Sequence, residues 1–149
     1  MKNISIRQAF SEDICSLALL LAELGYPCAE HSLSLRFEKF IKIDGYEVAV
    51  ACIDKEVVGF IAWSKSQLFI SDMPRFHIEA LIVRDKFRAH GIGKQLVKFL
   101  EDKAMASTPS IVDLTSGLIR AKDGSHKFYE KLGYNNEGHR EKVYLRKNL

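Results

Sequence analysis

At 149 residues the chain is long enough for one domain with a sizeable core, and its 47% apolar and 28% charged residues are the mixture of an ordinary soluble globular protein. A formal charge of +3 suits an anionic ligand without calling for nucleic acid. No apolar run reaches the roughly 18 residues of a membrane span, and the first five residues alternate in polarity, so neither a membrane partner nor a signal peptide is expected.

Residues 3–8 (Asn-Ile-Ser-Ile-Arg-Gln) alternate with period two and read as a first strand. Ser11 followed by Glu12 and Asp13 reads as an N-cap with acids in the first helical turn. Ile14, Leu17, Ala18 and Leu21 carry that helix to about Glu23, and Gly25-Tyr26-Pro27 stops it. A second helix from about Glu30 has the stripe Leu33, Phe37, Phe40 and Ile41 and ends at Asp44-Gly45. Residues 47–53 and 56–64 are apolar and β-branched on either side of Asp54-Lys55, which predicts an antiparallel hairpin with a bulge at Gly59. After a polar stretch containing Pro74, residues 75–83 are the next strand. Simple alternation sets His77, Glu79 and Leu81 on one of its faces and Phe76, Ile78, Ala80 and Ile82 on the other.

From Gly91 the period changes. Ile92, Leu96, Phe99 and Leu100 form a helix face running to about Ala106. Pro109 punctuates the chain, and residues 110–115 read as a short buried strand. Residues 125–132 predict a helix with Phe128 and Leu132 inward, closed by Gly133, and residues 142–146 a final strand. With no repeat or linker, the expectation is a single α/β (α+β) domain over residues 1–149, a mixed sheet with helices on its faces. Cys15, Cys28 and Cys52 are odd in number and far apart, which argues against a disulfide framework and fits a reducing cytoplasm. No Cys-x-x-Cys or His-x-x-x-His pair is present, so no metal is expected.

The most informative stretch, Arg88-Ala89-His90-Gly91-Ile92-Gly93-Lys94, joins a strand to a helix. Gly91 and Gly93 leave room for a ligand to approach the backbone. The first amides of the helix lack intrahelical acceptors, and its dipole adds positive potential, which together make a pyrophosphate site. Arg88 and Lys94 can add charge-assisted bonds. The dinucleotide fingerprint fails because its third glycine position holds Leu96, and the Walker loop fails because Arg88 and Gln95 replace a glycine and the Ser/Thr. What remains is Arg-x-x-Gly-x-Gly. Further on stands Ser125-His126-Lys127-Phe128-Tyr129-Glu130-Lys131-Leu132-Gly133-Tyr134.

These two segments resemble, in order and spacing, the coenzyme loop and the Phe-Tyr-x-Lys-x-Gly-Phe/Tyr signature of the GNAT superfamily of N-acetyltransferases. The resemblance implies a mixed, mostly antiparallel sheet of six or seven strands with about four helices, and a splayed V between strands 4 and 5. It implies that acetyl-coenzyme A is the cosubstrate, that its pantetheine arm pairs with Leu81, Ile82 and Val83, and that its pyrophosphate sits on residues 88–94. Contacts from Ser116, Ser125 and Phe128 complete the coenzyme set. Lys122 stands where many members have Asn, and Ser125 where Ala is common. The implied reaction is direct attack of a primary amine, of a small molecule, on the thioester through a tetrahedral intermediate. Tyr129 is the acid for the departing thiolate. Glu79 is a base or a solvated or salt-bridged carboxylate, with His77 a second candidate. Tyr26 and Glu30, with Glu23, border the implied acceptor pocket. A homodimer is compatible with the family. The competing reading is a non-catalytic acyl-coenzyme A sensor.

Overall fold

The alternating segments become strands and the 3.6-period segments helices. The computed structural model describes residues 3–117, 122–137 and 142–149. They form two compact units, Met1–Leu114 and Thr115–Leu149. The first holds β1 (Ile4–Gln8), α1 (Ile14–Leu24), α2 (Glu30–Ile41), β2 (Glu47–Ile53), β3 (Glu56–Ser66), β4 (Arg75–Val83), α3 (Ile92–Met105) and β5 (Ile111–Leu114), with short 3-10 turns at Ser11–Asp13 and Asp85–Phe87. The second holds α4 (Ser125–Lys131).

The sheet order is β1-β2-β3-β4-β5, antiparallel as far as β4 and parallel between β4 and β5. Successive residues of β2 and β3 face opposite sides. Val48, Val50, Phe60 and Ala62 join Leu17, Leu20, Leu33 and Phe37 in a core under α1 and α2. Trp63 turns the other way and meets Phe99 of α3 edge-on at 6.3 Å. Leu96 and Leu100 of α3 are fully buried, and each such side chain contributes about 1.5–3 kcal/mol.

Several expectations change. The described residues form five strands, not six or seven, and 142–149 carry no regular secondary structure. Alternation at 142–146 supplies only the side-chain pattern; a strand also needs a ladder partner for its backbone. Ser11 does not cap. Its hydroxyl turns to Glu12, while the Asp13 carboxylate accepts from the Phe10 N–H at 2.8 Å and from Arg7 at 2.7 and 2.8 Å. The β2–β3 bulge falls at Val58, because Ala51 pairs with Gly59 and Cys52 with Val57. Gly59 is needed for another reason: a Cβ there would lie 2.7 Å from the Ile82 carbonyl oxygen. Phe128 and Leu132 are half-buried rather than core residues.

Candidate active site

Strand β4 organises the candidate site residues of the first unit. Opposite β3 its register slips by one residue, since Ala80 pairs with Ala62 but Ile78 pairs with Trp63. Glu79 is the extra residue of a β-bulge. Directly opposed residues share a face, so the slip reverses the face of β4. Ile78 lies on the α3 side with Trp63, whereas Ala80 and Ile82 join the α1–α2 core. The expectation that His77 and Leu81 share a face is therefore corrected. His77 opposes Ser64, and Leu81 opposes Ile61 on the other side.

The fork opens at the same place. β5 pairs with Arg75 to Ile78 and ends at Leu114. The Arg84 N–H bonds to the Val58 carbonyl at 2.8 Å. By alternation Ile82 and Ala80 also direct their backbone groups toward β3, while Leu81 and Val83 direct theirs to the edge that β5 has left. Of the three residues expected to pair with a pantetheine arm, Leu81 thus presents its N–H and carbonyl there and Val83 its N–H, since the Val83 carbonyl accepts from Arg88 Nε, while Ile82 turns its own to β3. Its side chain is buried.

Beyond β4 the turn Asp85–Phe87 leads to Ala89 at φ 62° and Gly91 at φ 77°, two left-handed residues in three. Ala89 has no glycine's licence for that region, and such strain collects at functional sites. Gly91 is the N-cap of α3 and has no side chain to cap with, so the leading amides of Ile92, Gly93 and Lys94 receive no side-chain acceptor from it. A Cβ at Gly91 would meet no atom within 4 Å. Ile92 is buried and anchors the turn, while Arg88, Ala89, His90 and Lys94 are exposed. Arg88 is held on acids: it ion-pairs with Asp85, lies 3.7 Å from Glu23 of α1, and donates from Nε to the Val83 carbonyl at 2.8 Å. Glu23 also accepts the Asp85 N–H at 2.6 Å. His90 Nδ1 is 2.6 Å from the Arg88 carbonyl.

At the fork, Ser64 Oγ donates to Glu79 Oε1 at 2.6 Å. Glu79 is exposed and Ser64 buried, so the hydroxyl fixes one carboxylate oxygen of an otherwise solvated group. Across the β4–β5 rung, Asp113 lies 2.7 Å from Arg75 Nε and 2.7 Å from His77 Nδ1. Ser64, Arg75 and Asp113 are site residues that sequence reading missed. The one available signal was an acid inside the apolar run Ile-Val-Asp-Leu of β5. Tyr26, in the α1–α2 loop, is 65% exposed, and its side chain is available to a ligand. Glu30 opens α2, and its hydrogen bond and charge push the exposed Cys15 thiol above its ordinary range.

In the second unit, Tyr129 stacks edge-on with Phe128 at 5.0 Å and with Tyr134 at 5.7 Å, and its carbonyl accepts the Tyr134 N–H at 3.0 Å. The motif's two tyrosines thus fix one another. Ser125 gives its hydroxyl proton to Asp123 at 2.6 Å, which leaves only lone pairs for any ligand. Ser116 is half-buried just past β5, and Lys122 is exposed. Among the described residues no group of three His, Cys, Asp or Glu is arranged to hold a metal ion, and no helix is long and apolar enough to cross a membrane.

Among the described residues the sheet is mixed, its parallel β4–β5 pair stops at Leu114, and a helix start without a side-chain cap follows β4, the frame of an acyltransferase-type α/β fold. The model of the acetyltransferase (GNAT) domain matches residues 27–144, and the chain belongs to that family. Among solved structures, an aminoglycoside N-acetyltransferase, AAC(6')-Iy, in complex with CoA superposes with a TM-score of 0.84 at 18% identity, covering 100% of this chain and 97% of that one. A transcriptional regulator from Bacillus halodurans gives 0.81 at 24% identity over 96% and 100%. A GNAT family acetyltransferase from Staphylococcus aureus gives 0.73 at 23% identity over 100% of both chains. No curated protein matches the chain.

Proposed function

We propose that this chain is a single acetyltransferase domain over residues 1–149 that moves an acetyl group from acetyl-coenzyme A to the primary amine of a small molecule in the cytoplasm. The observation that carries the reading is the open edge of β4 running into an uncapped α3 with left-handed Ala89 and Gly91 at its entrance. Those features fit the coenzyme: polar backbone of Leu81 and Val83 for an amide-bearing arm, and the amides of residues 89–94 with Arg88 and Lys94 for a pyrophosphate. Ser116, Ser125 and Phe128 complete the proposed contacts. The bound coenzyme supplies the acetyl thioester.

The acceptor amine attacks the thioester carbonyl directly. The Leu81 N–H, turned to the open edge, stabilises the developing oxyanion. Glu79 takes a proton from the amine, directly or through water, with its far oxygen steadied by Ser64. Tyr129 returns a proton to the leaving thiolate, a transfer open to a phenol of pKa about 10. Tyr26 and Glu30 line the acceptor side. Three of the solved structures with the same fold are aminoglycoside acetyltransferases by name and one is a ribosomal-protein-alanine N-acetyltransferase, a balance that favours a small amine acceptor over a protein.

The test is thiol release from acetyl-coenzyme A across a panel of amines, with coenzyme affinity measured in parallel. Tyr129→Phe is expected to bind coenzyme as the wild type does and to turn over about 100-fold more slowly. Undiminished turnover removes the tyrosine's role. A silent panel with tight coenzyme binding replaces the enzyme with an acyl-coenzyme A sensor.

A further inference from the structure

His77 Nδ1 has two neighbours that compete for it. Asp113 Oδ1 lies 2.7 Å away, and Arg75 Nη2 lies 2.9 Å away. A neutral ring nitrogen either carries a proton or offers a lone pair, never both. A lone pair facing a carboxylate oxygen at 2.7 Å is repulsive, whereas a proton there makes a charge-assisted bond. Arg75 has its own partner, because its Nε donates to the other Asp113 oxygen at 2.7 Å. The guanidinium therefore holds the carboxylate, and the carboxylate holds the Nδ1 proton. Nε2 is left as an acceptor.

We infer that Asp113, braced by Arg75, is a positioning residue that keeps His77 in the Nδ1–H tautomer so that Nε2 accepts a hydrogen bond from the incoming amine. The inference rests on the acetyltransferase reading of the site. Its geometry is local: His77 opposes Ser64, Ser64 holds Glu79, and Asp113 is the β5 residue in register with His77. A primary amine has more than one N–H. One is surrendered toward Glu79, and a second, accepted by His77, fixes the direction of the nitrogen lone pair. The ring is 20% exposed, enough for one edge to meet a ligand. An acceptor at this point favours amines over groups that bring no second hydrogen. The Asp113 carboxylate thereby acts on the substrate through the histidine without touching it.

Nitrogen-15 NMR of the histidine rings distinguishes the two tautomers, and the His77→Gln variant identifies the His77 signal. The wild type is expected to show the Nδ1–H form, and Asp113→Asn to lose it. In the same variant kcat/KM for the amine is expected to fall about 10- to 100-fold, the cost of one misdirected hydrogen bond, with the coenzyme Kd unchanged. Because a glutamine oxygen can stand where Nε2 stood without help from Asp113, Asp113→Asn should cost nothing more in the His77→Gln background. An Nε2–H tautomer in the wild type overturns the inference, and so does a full additional loss in the double variant, which is the behaviour of a purely structural ion pair. If no amine is acetylated while the Nδ1–H signal still depends on Asp113, the acetyltransferase reading fails and the ring's positioning stands.

Discussion

Gly91 and Gly25 both adopt positive φ, 77° and 105°, and a Cβ on either would meet no atom within 4 Å. An alanine at either position pays for the left-handed backbone and for nothing else inside the protein, about 1–2 kcal/mol. For a chain of this size that lowers Tm by roughly 2–8 °C. They differ in what lies around them. Gly91 stands at the mouth of α3, where the empty space beside it is the space a pyrophosphate would fill. Gly25 closes α1. A methyl group at position 91 should keep phosphate oxygens from one or two backbone amides, at about 1.5–3 kcal/mol for each charge-assisted bond, which weakens coenzyme A binding by about tenfold or more. Titration calorimetry with coenzyme A, run beside thermal melts, separates the two costs. Gly91→Ala should lose both stability and affinity, and Gly25→Ala stability alone. If Gly91→Ala melts early but binds coenzyme A as the wild type does, the helix start is not the phosphate site.

Two further outcomes are expected. Glu23 sits 3.7 Å from Arg88 and competes with any incoming phosphate; Glu23→Gln should tighten coenzyme A binding a few-fold at low salt and by less at high salt, and weaker binding would show that Glu23 positions the arginine instead. The Asp13 carboxyl is held below its usual range, first by hydrogen bonds from Arg7 and then by the Phe10 N–H, against the opposing effect of burial. A carboxyl lowered on folding contributes stability that is whole above its unfolded value of about 3.9 and is lost as pH falls through the folded value. Asp13→Asn should therefore cost about 1–3 kcal/mol near neutrality and flatten the acid limb of stability measured by denaturant melts; curves parallel to the wild type would contradict this.

Much of the fold was legible because it is local. The 3.6-period stripes of α1, α2 and α3, the Asp54-Lys55 hairpin and the Gly91 helix start each announce themselves within a dozen residues. The Arg88–Lys94 turn was legible for the same reason, since glycine spacing at a strand–helix junction is a short-range pattern. What escaped depends on pairing. The slip at Glu79 exists only relative to Trp63 and Ala62, so alternation along β4 alone set Leu81 on the face of His77. The Asp113, Arg75 and His77 contacts join residues 36 and 38 apart and are created by the parallel rung. Residues 142–146 show the converse, a strand-like pattern that carries no regular secondary structure among the described residues.

The extra residue in β4 has a consequence for how the strand tolerates change. Its two halves answer to different layers: Phe76 and Ile78 are fitted to α3, Ala80 and Ile82 to the helices opposite. Deleting Glu79 would straighten the strand and bring Ile78 directly before Ala80, opposite the consecutive Trp63 and Ala62, so that every remaining residue of β4 keeps its present partner and face. Loss of this one residue should cost the carboxylate and leave the two layers packed, whereas loss of a paired residue such as Leu81 would shift the register of the strand beyond it.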